Sequence, residues 1–151
     1  MVQVVLPNDA NPLGNILGGT VMHLIDIAGA ISAHRHARSI VVTASVDNLA
    51  FLQPIRVGQL ILLHAHVTRV FHTSMEVEVK VYLEDYLTGE RRQTSSAFVT
   101  YVALDQDGRP KRVPPLTLRT AEERRRYREA LERRRYRLAL AARARHRYRD
   151  T

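Results

Sequence analysis

Apolar and polar positions along this chain follow two different periods, and the change between them divides it. Val2 to Leu6 is a short apolar run that predicts a strand, and Pro7, Asn8, Asp9, Asn11, Pro12, Gly14 and Asn15 behind it suit a structured loop. From Gly18 and Gly19 onward, Val21, Leu24, Ile25, Ala28, Ile31 and Ser32 recur at helical spacing, with Ile27 and Ala30 making further sides apolar. The spacing predicts a buried helix that stops near His36, where His34, Arg35 and His36 suit the negative end of the helix dipole.

From Ile40 the period shortens to two. Strands are predicted at Ile40 to Val46, roughly Leu60 to Phe71, Met75 to Leu83 and Thr94 to Leu104. In the third of these, Met75, Val77, Val79, Val81 and Leu83 alternate with Glu76, Glu78, Lys80 and Tyr82, so one face is expected to meet a core and the other water. Turns at Leu87-Thr88-Gly89 and Asp107-Gly108 make antiparallel neighbours the expectation. Beyond the stiff connector Val113-Pro114-Pro115, Thr120 and Glu123 form a capping-box signature for a long, mostly polar tail helix. The pattern as a whole reads as α+β, an antiparallel sheet wrapped around a central helix. It is expected as one domain over residues 1–116 and an Arg-rich tail over 117–151.

Charge changes this picture only locally. The net charge is +8, and residues 117–151 hold all of it, with 13 Arg against Glu122, Glu123, Glu129, Glu132 and Asp150. Residues 1–116 carry 10 basic and 10 acidic groups, so the body is neutral. Such a tail suits nucleic acid, a membrane surface or plain solvation. With no cysteine, a disulfide framework, a thiol nucleophile and a thiolate metal site are excluded, and the cytoplasm is the default expectation. No apolar run reaches the roughly 18 residues of a membrane span.

The chemistry begins with Asp26, a carboxylate in the middle of the most apolar helix, with His23 the nearest basic residue along it. A buried carboxylate must find a partner or lose solvation, and such groups are often functional. Asp26 either pairs with His23, faces a solvent channel, or works. Gly18 and Gly19 open the same helix, where unpaired amides could polarise a carbonyl as an oxyanion hole, or simply mark a loop-to-helix transition. His64 and His66 alternate on a strand, and His34 and His36 sit near a helix end, but no further ligand completes a metal spacing. No metal is expected. Ser95 and Ser96 lack a nucleophile-elbow context, and no glycine-rich phosphate loop is present.

The run from Pro7 to Thr20, containing Asn11 and Gly18-Gly19 and followed by Leu24-Ile25-Asp26, resembles the hotdog acyl-CoA thioesterases, in particular the cytosolic or brain acyl-CoA hydrolase branch. Val41 to Asp47, Thr73 to Glu76, Ser96 to Val102, Val113-Pro114 and the basic tail resemble it in the same order, so the likeness covers nearly the whole chain. The resemblance implies a hotdog fold and hydrolysis of fatty acyl-CoA, with CoA as part of substrate and product and no separate cofactor. It also implies a homodimer unit, commonly a trimer of dimers, with active sites between units. Asn11 and Asp26 match positions that two-unit relatives supply from different units, so a symmetric dimer would carry two complete sites. Asp26 is then general base or nucleophile, Asn11 orients, and the amide of Gly19, with Gly18, stabilises the oxyanion. CoA contacts are implied at Ala44, Ser45 and Val46, at Thr73, Ser74 and Met75, and at Arg135. A non-catalytic acyl-CoA-binding or ligand-sensing module is the rival from another class, and no nucleic acid is expected.

Overall fold

The computed structural model describes residues 1–149; Asp150 and Thr151, the end of the expected tail, lie outside the described residues. The chain runs β1 (Val2–Val4), a 3-10 turn at Pro7–Asp9, α1 (Gly18–Ala37), β2 (Ile40–Asp47), β3 (Leu60–Val70), β4 (Ser74–Glu84), β5 (Arg91–Leu104) and α2 (Ala121–Arg149). The strands form one antiparallel sheet in the order β1-β3-β4-β5-β2. One face of it packs on α1, which touches β2, β3, β4 and β5. There Val21, Leu24, Ile25 and Ala28 meet Val77, Val79, Val81, Val99 and Tyr101 in a single core. This is the wrapped helix that the two periods predicted.

The end of α1 also falls where expected. Arg38 takes the left-handed conformation at φ 52 and donates its N–H to the His34 carbonyl at 2.8 Å. Ring nitrogens of His34 and His36 bond the carbonyls of Ser39 and Pro114 at 2.9 and 2.8 Å, so both are held by their own chain.

Two expectations need correction. The outward face of β4 meets water only in its second half, where Lys80 and Tyr82 are partly exposed; Glu76 is 0% exposed and Glu78 is buried as well. The reason is α2, which lies across that face. Its capping box forms as read, with Glu123 N–H bonding Thr120 Oγ1 at 3.1 Å and Thr120 N–H bonding Glu123 Oε2 at 3.2 Å. It then docks through charge. Arg133 Nε and Nη2 donate to the two carboxylate oxygens of Glu76 at 3.1 and 2.7 Å, with the guanidinium 3.7 Å above the Phe98 ring. Thr68 Oγ1 donates to Glu76 Oε1 at 2.6 Å. Arg137 pairs with Asp47 on β2, and Arg69 on β3 stacks on Tyr127 and donates to its carbonyl at 3.0 Å. A carboxylate is tolerated at full burial because nearly every lone pair has a donor.

The second correction concerns α1. Only one side of it is buried; Met22, Ile27 and Ile31 are 47, 36 and 43% exposed. A single sheet covers one face of a helix, and among the described residues nothing covers the other. Ile40, Val42 and Val46 on edge strand β2 are likewise exposed. Among the described residues, no helix is long and apolar enough to cross a membrane.

Removing Arg133 leaves a buried anion with much of its compensation gone, so Arg133→Ala is expected to lower stability by about 3 kcal/mol. Replacing both partners by Met should recover most of that loss. Urea unfolding of the two variants against wild type checks both statements.

Candidate active site

The approach to α1 is shaped by Asn11. Its Oδ1 accepts the N–H groups of Leu13 at 3.0 Å and Asn15 at 3.2 Å, a turn that Gly14 completes at φ +80. The oxygen is committed to the loop, which leaves the Nδ2 amide as the end that can donate to a ligand. Leu17 then enters α1 with no side-chain cap on the helix, so the amides of Gly18 and Gly19 keep their donor capacity. A Cβ on Gly18 would stand 3.2 Å from the Phe51 ring, whereas a Cβ on Gly19 would meet nothing within 4 Å. Gly18 thus lets Phe51 close in, and Gly19 faces open space. Beside them lies a cleft of about 320 Å³ whose lining includes Asn11, Gly18, Phe51 and Ser95.

Asp26 is not in that cleft. It stands eight residues further along α1, about 12 Å at 1.5 Å per residue, on the flank that carries the exposed Met22 and Ile27. Its partner is not His23. Thr43 Oγ1 on β2 donates to Asp26 Oδ1 at 2.6 Å, and the Tyr101 hydroxyl on β5 lies 2.9 Å from the Asp26 carbonyl and 3.3 Å from Oδ1. Burial, then the charge and hydrogen bond of Asp26, push the Tyr101 phenol well above its ordinary range, so it keeps its proton and acts as a donor. Tyr101 reaches α1 only because residue 29 has no side chain: a Cβ there would sit 2.3 Å from its hydroxyl. One carboxylate oxygen is therefore held from two strands, and Oδ2 is left for chemistry.

The other expected positions fall in two places. Ala44, Ser45 and Val46 lie on edge strand β2, whose register shifts between Thr43 and Ser45, so Ala44 is the extra residue of a bulge. Thr73 lies in the turn into β4 and Ser74 is the buried first residue of that strand, with Arg134 Nη1 3.4 Å from Ser74 Oγ. Met75 is fully buried, and its strand is paired on both sides with Val70 and Tyr101, so it belongs to the core. Arg135 is exposed on α2, while Arg133 and Arg137 are tied to carboxylates and Arg134 stacks on Phe71. No group of three His, Asp or Glu side chains able to hold a metal occurs among the described residues. Thr43, Tyr101 and Gly29 were missed as site residues; a glycine in mid-helix, which costs about 1 kcal/mol against Ala, was the available signal.

The thioesterase superfamily model matches residues 13–90, more than half of the chain. The chain belongs to the thioesterase superfamily. Among curated members of it, the chain is 44% identical over 119 residues to the uncharacterized acyl-CoA thioester hydrolase YkhA of Bacillus subtilis, covering 79% of this chain and 69% of that protein. It is 37% identical over 131 residues to the mouse cytosolic acyl coenzyme A thioester hydrolase, matching 85% of itself but spanning only 34% of that longer protein. An apo-hexameric acyl-CoA thioesterase superposes with a TM-score of 0.90 at 44% identity, covering 94% of this chain and 91% of that one. The acyl-CoA hydrolase from Staphylococcus aureus, solved with butyryl coenzyme A, coenzyme A and coenzyme A disulfide, gives 0.90 at 34% identity, covering 97% and 89%. Further structures of that hydrolase carry single alanine replacements of an Asp, a Thr and an Asn. The fold is the hotdog thioesterase fold, as the resemblance implied.

Gly29→Ala is expected to push the Tyr101 hydroxyl off Asp26 and to cost about 1–3 kcal/mol of stability through overpacking. In a Tyr101→Phe background, where the clashing oxygen is gone, the same change should cost clearly less. A double-mutant cycle by urea unfolding measures that coupling, and additive costs would contradict the contact.

Proposed function

We propose that this thioester hydrolase cleaves fatty acyl-CoA to the free acid and CoA at sites built between two copies of the chain. One copy supplies Asp26, and the other supplies Asn11, Gly18 and Gly19. The observation that carries the reading is the separation of these groups within one chain, since the cleft with Asn11 and Gly18 excludes Asp26, while Asp26 stands beside an apolar helix face with no cover. A second copy seated on that face would bury it and bring the two halves together. Spacing supports the same residues. The Asn, Asp and Thr replaced in the Staphylococcus aureus hydrolase stand 15 and 17 residues apart, the separations of Asn11 from Asp26 and of Asp26 from Thr43 here. The hexameric relatives support a trimer of such dimers, and the mouse cytosolic relative supports a cytoplasmic location.

In this mechanism Thr43 and Tyr101 fix Asp26 Oδ1, and Oδ2 takes a proton from water as its oxygen attacks the thioester carbonyl. The amides of Gly18 and Gly19 stabilise the oxyanion, with Nδ2 of Asn11 as a further donor. Collapse breaks the C–S bond, and the leaving CoA thiolate recovers the proton that Asp26 holds. CoA belongs to substrate and product, and no separate cofactor takes part.

Asn11→Ala and Asp26→Ala homo-oligomers are each expected to be folded and nearly inactive in a thiol-release assay. Dissociated and reassembled together, they should regain roughly a quarter of wild-type activity if subunits reassort at random, because each mixed dimer holds one intact site. Mixed oligomers as inactive as their parents would refute the shared site. Absence of thiol release by the wild-type protein would favour the binding-module reading instead.

CoA itself is assigned to the β2 bulge at Ala44, Ser45 and Val46 and the entry to β4 at Thr73 and Ser74, with Arg135 as the guanidinium left for a phosphate. Arg135→Ala is expected to raise KM for CoA esters about tenfold with kcat kept, the usual weight of one charge-assisted contact. The effect should vanish for dephospho-CoA esters lacking the ribose phosphate. An equal effect on both substrates assigns Arg135 to folding or assembly.

A further inference from the structure

The cleft beside the start of α1 is lined by a residue whose polar group has no partner among the described residues. Along the helix-facing side of β5 stand Ser95, Ala97, Val99, Tyr101 and Ala103, each 2% exposed or less. Ala97, Val99 and Ala103 have nothing polar in their side chains, and the hydroxyl of Tyr101 is bonded to Asp26. Ser95 Oγ is buried without a hydrogen-bond partner, and Ser95 lines the cleft together with Asn11 and Gly18.

The backbone is built to hold it there. The register of β4 with β5 pairs Val81 with Ser95 and Tyr82 with Gln93, which makes Thr94 the extra residue of a bulge. Thr94 Oγ1 turns to the Val81 carbonyl at 3.3 Å, and the Leu52 N–H bonds the Thr94 carbonyl at 2.9 Å. That second bond ties the segment carrying Phe51 to the strand. Phe51 then closes over the helix start, where the missing side chain of Gly18 admits its ring. At 2% exposure, Ser95 cannot be reached by a second copy docking from outside; it can be met only by something that enters the cleft.

A hydroxyl buried without a partner costs about 1–3 kcal/mol. The hydroxyl has neither a protein partner nor solvent exposure, and an apolar chain in the cleft leaves it unpaired. A chain bearing an oxygen at the right place does not. Ile16, Val21, Phe51 and Ile55 give the cleft an apolar wall suited to carbon chain, beside the polar side chains of Asn11, Asn15, Gln53 and Thr94. From these observations we propose that the cleft is the acyl-end subsite, and that Ser95 makes it selective for acyl groups carrying a hydrogen-bonding oxygen, hydroxyacyl or oxoacyl thioesters, over the unsubstituted chain of equal length. The inference rests on the thioesterase reading above and adds its substrate class. A site that hydrogen-bonds a substrate oxygen discriminates against the analogue without it, because the protein group is then stranded.

The test uses the full-length homo-oligomer and thiol release from CoA esters of equal length. Butyryl-CoA and hexanoyl-CoA are compared with the same esters hydroxylated at successive carbons, for wild type, Ser95→Ala and Ser95→Thr. For wild type, at least one hydroxylated ester should exceed its plain partner in kcat/KM by about tenfold. Ser95→Ala should abolish that preference, and Ser95→Thr, which retains a hydroxyl, should keep part of it. No preference in wild type, a preference that survives Ser95→Ala, or a uniform loss on every ester overturns the proposal, the last because it makes Ser95 a packing residue or a contact of the CoA portion. Failure to release thiol from any ester overturns the thioesterase reading as well, and is recognised by the silence of the plain esters.

Discussion

Helix and sheet come together at Gly29 so closely that the Tyr101 ring passes over a backbone with no side chain in the way. That contact brings a phenol against the carbonyl of residue 26 and sets how deep α1 sits in the sheet. Asp26 follows from it. A carboxylate on an apolar helix is costly unless it is bonded, and here the strand that carries Tyr101 and the edge strand that carries Thr43 both supply donors to the same oxygen. The geometry leaves one oxygen of the pair for a proton, which is what a general base requires.

The opposite face of the sheet is covered by charge. Glu76 on β4 is fully buried between Thr68 and Arg133, with Arg137 3.7 Å away. Such a clamp adds little net stability compared with a well-packed apolar contact, but it is intolerant of a missing partner and so fixes where α2 lies. Glu78 extends the same face, with its carboxyl held below the ordinary range by His66, whose Nε2 lies 3.2 Å away, and by the Lys80 and Arg126 charges, against the cost of burial. The Arg-rich helix is thus divided in use. Arg126, Arg133 and Arg137 bind it to the body, whereas Arg135 and residues 138–149 remain exposed.

What one chain leaves open is as informative as what it closes. The uncovered flank of α1, with Met22, Ile27 and Ile31, lies next to Asp26, and the exposed apolar residues of β2 lie beside the Ala44 bulge. An apolar face of this kind in water is a docking surface. Under the proposed function, a second copy placed there would supply the other half of the site, so that assembly and chemistry would share one surface. The hexameric relatives are consistent with that economy.

Local pattern was enough for the elements of this protein. The helical spacing from Val21, the alternation from Met75 and the capping box at Thr120 and Glu123 are short-range properties, and each element formed within a residue or two of where they put it. Asp26 stood out because a carboxylate among apolar helix positions is anomalous on its face. Three things depended on tertiary structure. Thr43 and Tyr101 are 17 and 75 residues from Asp26, and only strand register brings them to it. Glu76 follows a strict polar alternation that normally signals solvent, and its burial depends on a helix that starts 45 residues later. Ser95 reads as an ordinary strand residue until a bulge and a packed loop remove every partner it could have. Periodicity states which residues share a face; which face is covered, and by what, is decided by contacts between segments far apart in the chain.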